Sequence, residues 1–107
     1  MNPTEYCVVL TTTNDKQNAE QIIRHLLEHK LAACVQTLPI ESHYLWQNTY
    51  CQDSEFLLII KTQVGCYSAV ESVIQQLHHY QVPQIVQLPI TQGFEPYLAW
   101  LKHNTTV

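Results

Sequence analysis

Glycine is almost missing from this chain, which has only Gly65 and Gly93 among its 107 residues. A glycine-rich phosphate-binding loop and a glycine-flanked catalytic serine are therefore both excluded by motif. Basic residues are also scarce, with five Lys and Arg against nine Asp and Glu. Because nucleic-acid binding depends on neutralising many phosphates, this composition argues against that function.

Long apolar runs and closely spaced cysteines are missing as well. The longest aliphatic and aromatic run, FLLII, is far too short to span a membrane, and MNPTEYCVVL lacks the basic region of a signal peptide. We therefore expect a cytoplasmic protein whose cysteines are free thiols. No C-x-x-C pair is present, which argues against a structural zinc site or a thioredoxin-like motif. The four cysteines are Cys7, Cys34, Cys51 and Cys66.

The hydrophobic and polar patterns predict one α+β domain over residues 1–107. Charged residues are only 13% of the chain, a composition that favours self-association. Alternating and helical periods predict the element order β-α-β-β-α-β-α, whose first six elements match a ferredoxin-like sandwich. The predicted elements are a strand at Tyr6–Thr13, a helix at about 16–30, strands at about 33–47 and 49–62, a helix within 63–80, a strand within 82–90 and a helix at 96–103.

The second and third predicted strands form an unusually long hairpin around a Gln47-Asn48 turn. Each arm has roughly 14 residues, or about 45 Å at ~3.3 Å per residue, which exceeds what so small a domain covers. Its tip should project and expose Tyr44, Trp46 and Tyr50 unless a partner surface covers them.

Four segments, taken in order, resemble the CutA family of divalent-cation tolerance proteins. They are KLAACVQTLPIESHYLW, EFLLIIKT, HHYQVPQIVQLPI and GFEPYLAWL. The resemblance implies a ferredoxin-like subunit in a homotrimer similar to the PII signalling proteins. It also implies a cytoplasmic, non-enzymatic protein linked to metal tolerance and copper binding.

The chain departs from the family pattern at three positions. Asn48 stands where the hairpin turn usually has Gly, a change that Asn tolerates. His79 replaces the Pro of an HPY motif, and Gln84 replaces the Glu of a PEI motif. The last change puts a neutral amide beside the implied site and weakens a metal role there.

The resemblance marks Cys34 and His78 as candidate copper ligands. A thiolate suits Cu(I), and imidazole also suits Cu(II). Each residue has a structural alternative: Cys34 as a packed core thiol, and His78 as a histidine bound to carbonyls at a helix C-terminus. Both interpretations stay open at the level of sequence.

Other residues are weaker candidates. His25 and His29 have the i, i+4 spacing of an adventitious surface site for nickel, copper or zinc. Lys61, Glu55 and Tyr97 lie in matched family motifs, and together with Gln84 they could line a ligand cleft between subunits. The alternatives are an intersubunit ion pair for Lys61 and Glu55, and packing of the last helix against the sheet through Tyr97 and Trp100.

A second function of another class is also consistent with the sequence. The protein could be a PII-like signalling module that binds a small metabolite in intersubunit clefts and engages a partner protein through its hairpins.

Overall fold

The computed structural model describes residues 5–107, which form four strands and three helices in the predicted order. A single 3₁₀ turn at Val64–Cys66 precedes the second helix. The elements are β1 (Tyr6–Thr13), α1 (Lys16–Glu28), β2 (Cys34–Trp46), β3 (Thr49–Gln63), α2 (Tyr67–Leu77), β4 (Val86–Pro89) and α3 (Glu95–His103). All strand pairs are antiparallel, and the sheet order is β2-β3-β1-β4.

Strand register divides the sheet side chains between two faces. One face packs on α1 and α2 and supplies the buried core. The sheet and both helices contribute the largest fully buried apolar side chains of this core, which are Val9, Ile22, Leu26, Leu58, Ile60, Val70 and Ile74. The opposite face, called the outer face below, carries the alternate residues of each strand: Val8, Leu10, Leu38, Leu57, Ile59, Val86 and Leu88.

Helix α1 ends two residues earlier than its apolar pattern predicts. Lys30 has φ 55°, its amide binds Leu27 O, and the amide of Leu31 binds Leu26 O. This pair of bonds is the Schellman arrangement that closes a helix C-terminus. Leu27 is 39% exposed although Leu26 is fully buried, because the two lie about 100° apart around the helix.

Buried Asn18 connects α1 to the end of α2. Its Nδ2 donates to Leu77 O at 2.8 Å, and its Oδ1 accepts from the Thr13 hydroxyl at 3.1 Å. Because each polar atom of the amide has a partner, Asn18 is buried without a lost hydrogen bond. The bond from Asn18 to Leu77 O fixes the start of the loop that follows α2.

Helix α3 packs at one end of the outer face through Leu98 and Leu101, which contact Tyr6. The buried contact is made by these leucines and not by Tyr97 and Trp100, although Tyr97 does lie near Lys61 of β3. The two aromatic residues are 37% and 45% exposed and stack on each other with ring centroids 5.7 Å apart. Leu98 and Leu101, three residues apart, occupy the buried side of this short helix.

The long hairpin is confirmed, with arms of 13 and 15 residues and a longest molecular dimension of 45 Å. Gln47 and Asn48 form its two-residue turn, with φ of 50° and 64°. Pairing of β3 with β1 stops at Thr13 and Phe56, so the distal hairpin is a two-stranded ribbon. Such a ribbon has little stability of its own in water.

We expect Gln47→Asn to raise the free energy of unfolding by about 1 kcal/mol, because Asn adopts positive φ more easily than Gln. Urea denaturation at one fixed protein concentration measures the change. Gln52→Asn is the matched control: it lies on exposed, extended backbone of the same hairpin, where Asn is disfavoured. A lower free energy of unfolding for Gln47→Asn than for the wild type would contradict the expectation.

Candidate functional site

A groove separates the distal hairpin from the loop that follows α2. Its volume is about 570 Å³, and aromatic, amide and carboxylate side chains line it. The residues that line it are Thr12, Asn14, Ser42, His43, Tyr44, Trp46, Asp53, Glu55, Tyr80, Gln81, Val82 and Gln84. It lies where the two-stranded part of the hairpin leaves the sheet, so we call it the hairpin groove.

Glu55 is the most deeply buried carboxylate of the hairpin groove, with 7% of its surface exposed. The Tyr80 hydroxyl donates to Glu55 Oε2 at 2.6 Å. Burial, followed by this bond to the carboxylate, raises the pKa of Tyr80 well above its usual value. The phenol therefore remains a donor to Glu55 at neutral pH and holds the α2–β4 loop against β3.

A second tyrosine–carboxylate pair, Tyr44 with Asp53, lies nearer the tip of the hairpin. The Tyr44 hydroxyl donates to Asp53 Oδ2, and this bond raises the pKa of Tyr44 to about 12. Gln84 lies on the same groove with an exposed side chain. The carboxylates that line the groove are thus Asp53 and Glu55, and position 84 contributes an amide.

His78 is nearly buried, and both of its ring nitrogens have partners within the chain. Nδ1 accepts from the Tyr80 amide at 3.0 Å, which puts the ring hydrogen on Nε2. Nε2 then donates to Thr12 O at 2.7 Å. His78 would have to give up one of these bonds to bind a metal.

Cys34 lies at the other end of the sheet. It pairs directly with Lys61 across β2 and β3, so the two side chains share the outer face. Lys61 Nζ lies 5.7 Å from the ring centroid of Tyr97 on α3. These three residues form a group separate from the hairpin groove.

The predicted site residues therefore fall into two places within one chain. Lys61 pairs with Val8 of β1, whereas His78 binds Thr12, four residues further along that strand. Four residues of strand correspond to about 13 Å, so Cys34 and His78 do not reach one ion within a single chain. Lys61 and Glu55, six residues apart on β3, are likewise too far apart to pair with each other.

His25 and His29 do come together on the surface of α1. Their rings stack with centroids 4.1 Å apart and planes inclined by 16°. His29 Nδ1 lies 2.9 Å from the carbonyl oxygen of His25. The predicted i, i+4 neighbours are thus in contact.

Clustered metal ligands and long apolar helices would each bear on the class of protein. Across residues 5–107, no cluster of three or more His, Cys, Asp and Glu side chains has an arrangement that could hold a metal ion. No helix in that part of the chain is long and apolar enough to cross a membrane. The four cysteines are free thiols, and burial raises the pKa of Cys7 to about 11.

Comparison with known families identifies the chain. Residues 7–104 match the model of the CutA1 divalent ion tolerance protein. The chain belongs to the CutA1 family. A divalent-cation tolerance protein CutA from Thermus thermophilus is 41% identical over 99 residues, covering 92% of this chain and 96% of the relative. The human Protein CutA is 36% identical over 104 residues, which are 96% of this chain and 58% of the human protein.

Solved structures of CutA1 proteins share the fold closely. The crystal structure of CutA1 from Oryza sativa has a TM-score of 0.92 at 36% identity and covers 99% of this chain and 98% of that one. CutA1 from the psychrotrophic bacterium Shewanella sp. SIB1 has a TM-score of 0.92 at 40% identity and covers 96% and 97%. The α+β arrangement of a four-stranded antiparallel sheet with three helices is thus the CutA1 architecture.

Sequence reasoning missed the two tyrosine–carboxylate pairs. The Tyr44–Asp53 pair had a usable signal, because a two-residue turn places Tyr44 opposite Cys51 and Asp53 two residues further along the same face. The Tyr80–Glu55 pair had none, since 25 residues and a whole helix separate its members.

We expect Tyr80→Phe to lower the free energy of unfolding by about 1–3 kcal/mol, because it leaves the buried Glu55 carboxylate without its donor. Tyr50→Phe is the control. The Tyr50 hydroxyl also has a side-chain partner, His43 Nδ1 at 2.6 Å, but both residues are exposed. Urea titrations should show a larger loss of unfolding free energy for Tyr80→Phe than for Tyr50→Phe. Equal losses would show that the Tyr80–Glu55 bond contributes no more to stability than an exposed one.

Proposed function

We propose that this CutA1-family chain is a non-enzymatic metal-response protein that works as a homotrimer and binds copper weakly through Cys34 and His78. Family membership supports the divalent-cation tolerance role. The observation that carries the proposal is the position of Cys34, a half-buried free thiol on the apolar outer face. A thiol on a face that meets other subunits can receive a second ligand from one of them.

The outer face supports self-association. Leu38, Val86 and Leu88 are 50%, 42% and 49% exposed, and they lie beside the other apolar side chains of that face. An apolar patch of this kind is typical of a protein–protein interface. The low charge of the chain fits a second copy as the partner better than a charged macromolecule. The unpaired edge of the distal hairpin adds main-chain groups that a neighbouring subunit can satisfy.

Light scattering on wild-type protein at micromolar concentration should give about 37 kDa, three times the 12.4 kDa chain mass. Leu38→Glu should shift the mass toward that of one chain, because it places a carboxylate in the apolar contact. Leu27→Glu is the control, since Leu27 is 39% exposed on α1, on the other side of the molecule. A monomeric wild type, or equal effects of both variants, would contradict the trimer.

The copper proposal combines a soft ligand with an intersubunit location. Cys34 supplies a sulfur, which prefers Cu(I). His78 lies at the other end of the sheet in its own chain, so an ion bound by both must bridge two subunits. Binding would also replace one hydrogen bond of the His78 ring, and this cost is consistent with the weak affinity that we propose.

An anaerobic competition titration with Cu(I) should find a site in the wild type that is lost in Cys34→Ser. Cys51→Ser is the matched control, because Cys51 is also a half-buried free thiol. Equal binding by the two variants would make Cys34 a packing residue.

The role of His78 is tested in the same titration. Weaker copper binding by His78→Gln, with the trimer intact, would support it as the second ligand. Unchanged copper binding with a lower melting temperature would leave His78 as an anchor of the α2–β4 loop.

The hairpin groove supports a second candidate function, a PII-like module that binds a small metabolite and a partner protein. Its size suits a small ligand, and its aromatic walls provide stacking surfaces. The carboxylates of Asp53 and Glu55 favour a neutral or cationic ligand. If Cys34→Ser and Cys51→Ser bind Cu(I) equally, the metabolite-binding module becomes the better account of the function.

We also propose a cytoplasmic location. The support is chemical: four free thiols, two of them only half-buried, persist best in a reducing compartment.

A further inference from the structure

We propose that His25 and His29 form a surface site on α1 for a late first-row divalent cation such as Ni²⁺ or Cu²⁺. This site is independent of the copper site proposed for Cys34 and His78, and it depends on neither of those residues. It goes beyond the spacing argument, because the structure supplies the orientation of each ring.

The His29 ring is prepared as a metal ligand. Its Nδ1 lies 2.9 Å from His25 O, and a carbonyl oxygen only accepts hydrogen bonds. Nδ1 therefore carries the hydrogen, and the lone pair of the neutral ring is on Nε2. Donation of the second ring nitrogen to a backbone carbonyl is the arrangement that commonly orients metal-binding histidines.

The His25 ring lies beside it at a useful distance. The two centroids are 4.1 Å apart, and the planes are inclined by only 16°. Two nitrogens bound to one ion at right angles, with bonds of about 2.0–2.1 Å, are about 3 Å apart. Because the planes are nearly parallel, the two rings must turn toward each other about their side-chain bonds before two nitrogens converge on one ion. His29 is exposed and His25 is partly exposed at the surface of α1.

The surroundings favour a cation. His25 shares a shallow groove with the carboxylates of Glu20 and Glu28, against one cation, Arg24. Glu28 follows His25 by three residues and so lies on the same side of the helix. Two imidazoles suit copper, nickel and zinc, and water can complete the coordination.

The site is also distant from the proposed assembly surface. Helix α1 packs on the core face of the sheet, whereas the proposed subunit contacts use the outer face. The exposed side of α1 therefore stays open to solvent in the assembled protein.

Calorimetric titration with Ni²⁺ at pH 7.5 tests the proposal on the full chain. The wild type should bind one Ni²⁺ per chain, and His25→Gln and His29→Gln should each weaken binding by about tenfold or more. The double variant should lose the site. Gln is a good helix former, so circular dichroism should show α1 unchanged.

Two controls make the result specific. His103→Gln removes an exposed histidine on α3 and should leave Ni²⁺ binding unchanged. Cys34→Ser should also leave it unchanged, which separates this site from the copper proposal. Full binding by the His25, His29 double variant, or an equal loss in His103→Gln, would overturn the inference.

Discussion

The pairing register of β2 with β3 is the constraint on which the rest of the structure depends. Because side chains alternate along a strand, a shift of one residue would exchange the two faces of the hairpin. The present register puts Leu58 and Ile60 against the helices and leaves Leu38 and Lys61 on the outer face. It also sets Tyr44 beside Asp53. Core, outer face and hairpin groove therefore all follow from one two-residue turn.

Much of the fold could be predicted from the sequence, because its signals are local. The bounds of β1 match the prediction, and the long hairpin is confirmed at nearly its predicted length. Local patterns are less informative about helix faces. Leu27 and Trp100 are as apolar as their buried neighbours, and only tertiary packing decides which side of a short helix faces the sheet.

The candidate site was less predictable than the fold. The sequence predicted Cys34, Lys61, Glu55 and Gln84 as site residues. It did not show that Cys34 and Lys61 lie at one end of the sheet and Glu55 and Gln84 at the other. That division requires the register of three strands at once. The partners of His78, likewise, are carbonyl and amide groups that carry no sequence signal.

Two histidines illustrate how the same bond can have opposite results. His78 and His29 each have a ring nitrogen within hydrogen-bond distance of a main-chain carbonyl. In His78 the second nitrogen is also occupied, by the Tyr80 amide, so the ring holds a loop. His29 is exposed, so its one bond orients the ring at the surface, as the proposed metal site requires.

The central position of β1 has a consequence for biosynthesis. This strand leaves the ribosome first, yet its two neighbours in the sheet, β3 and β4, follow about 50 and 80 residues later. Contacts so distant in sequence form slowly. The nascent chain must therefore carry β1 as an apolar, unpaired strand until β3 emerges, and the sheet can close only after β4 has emerged.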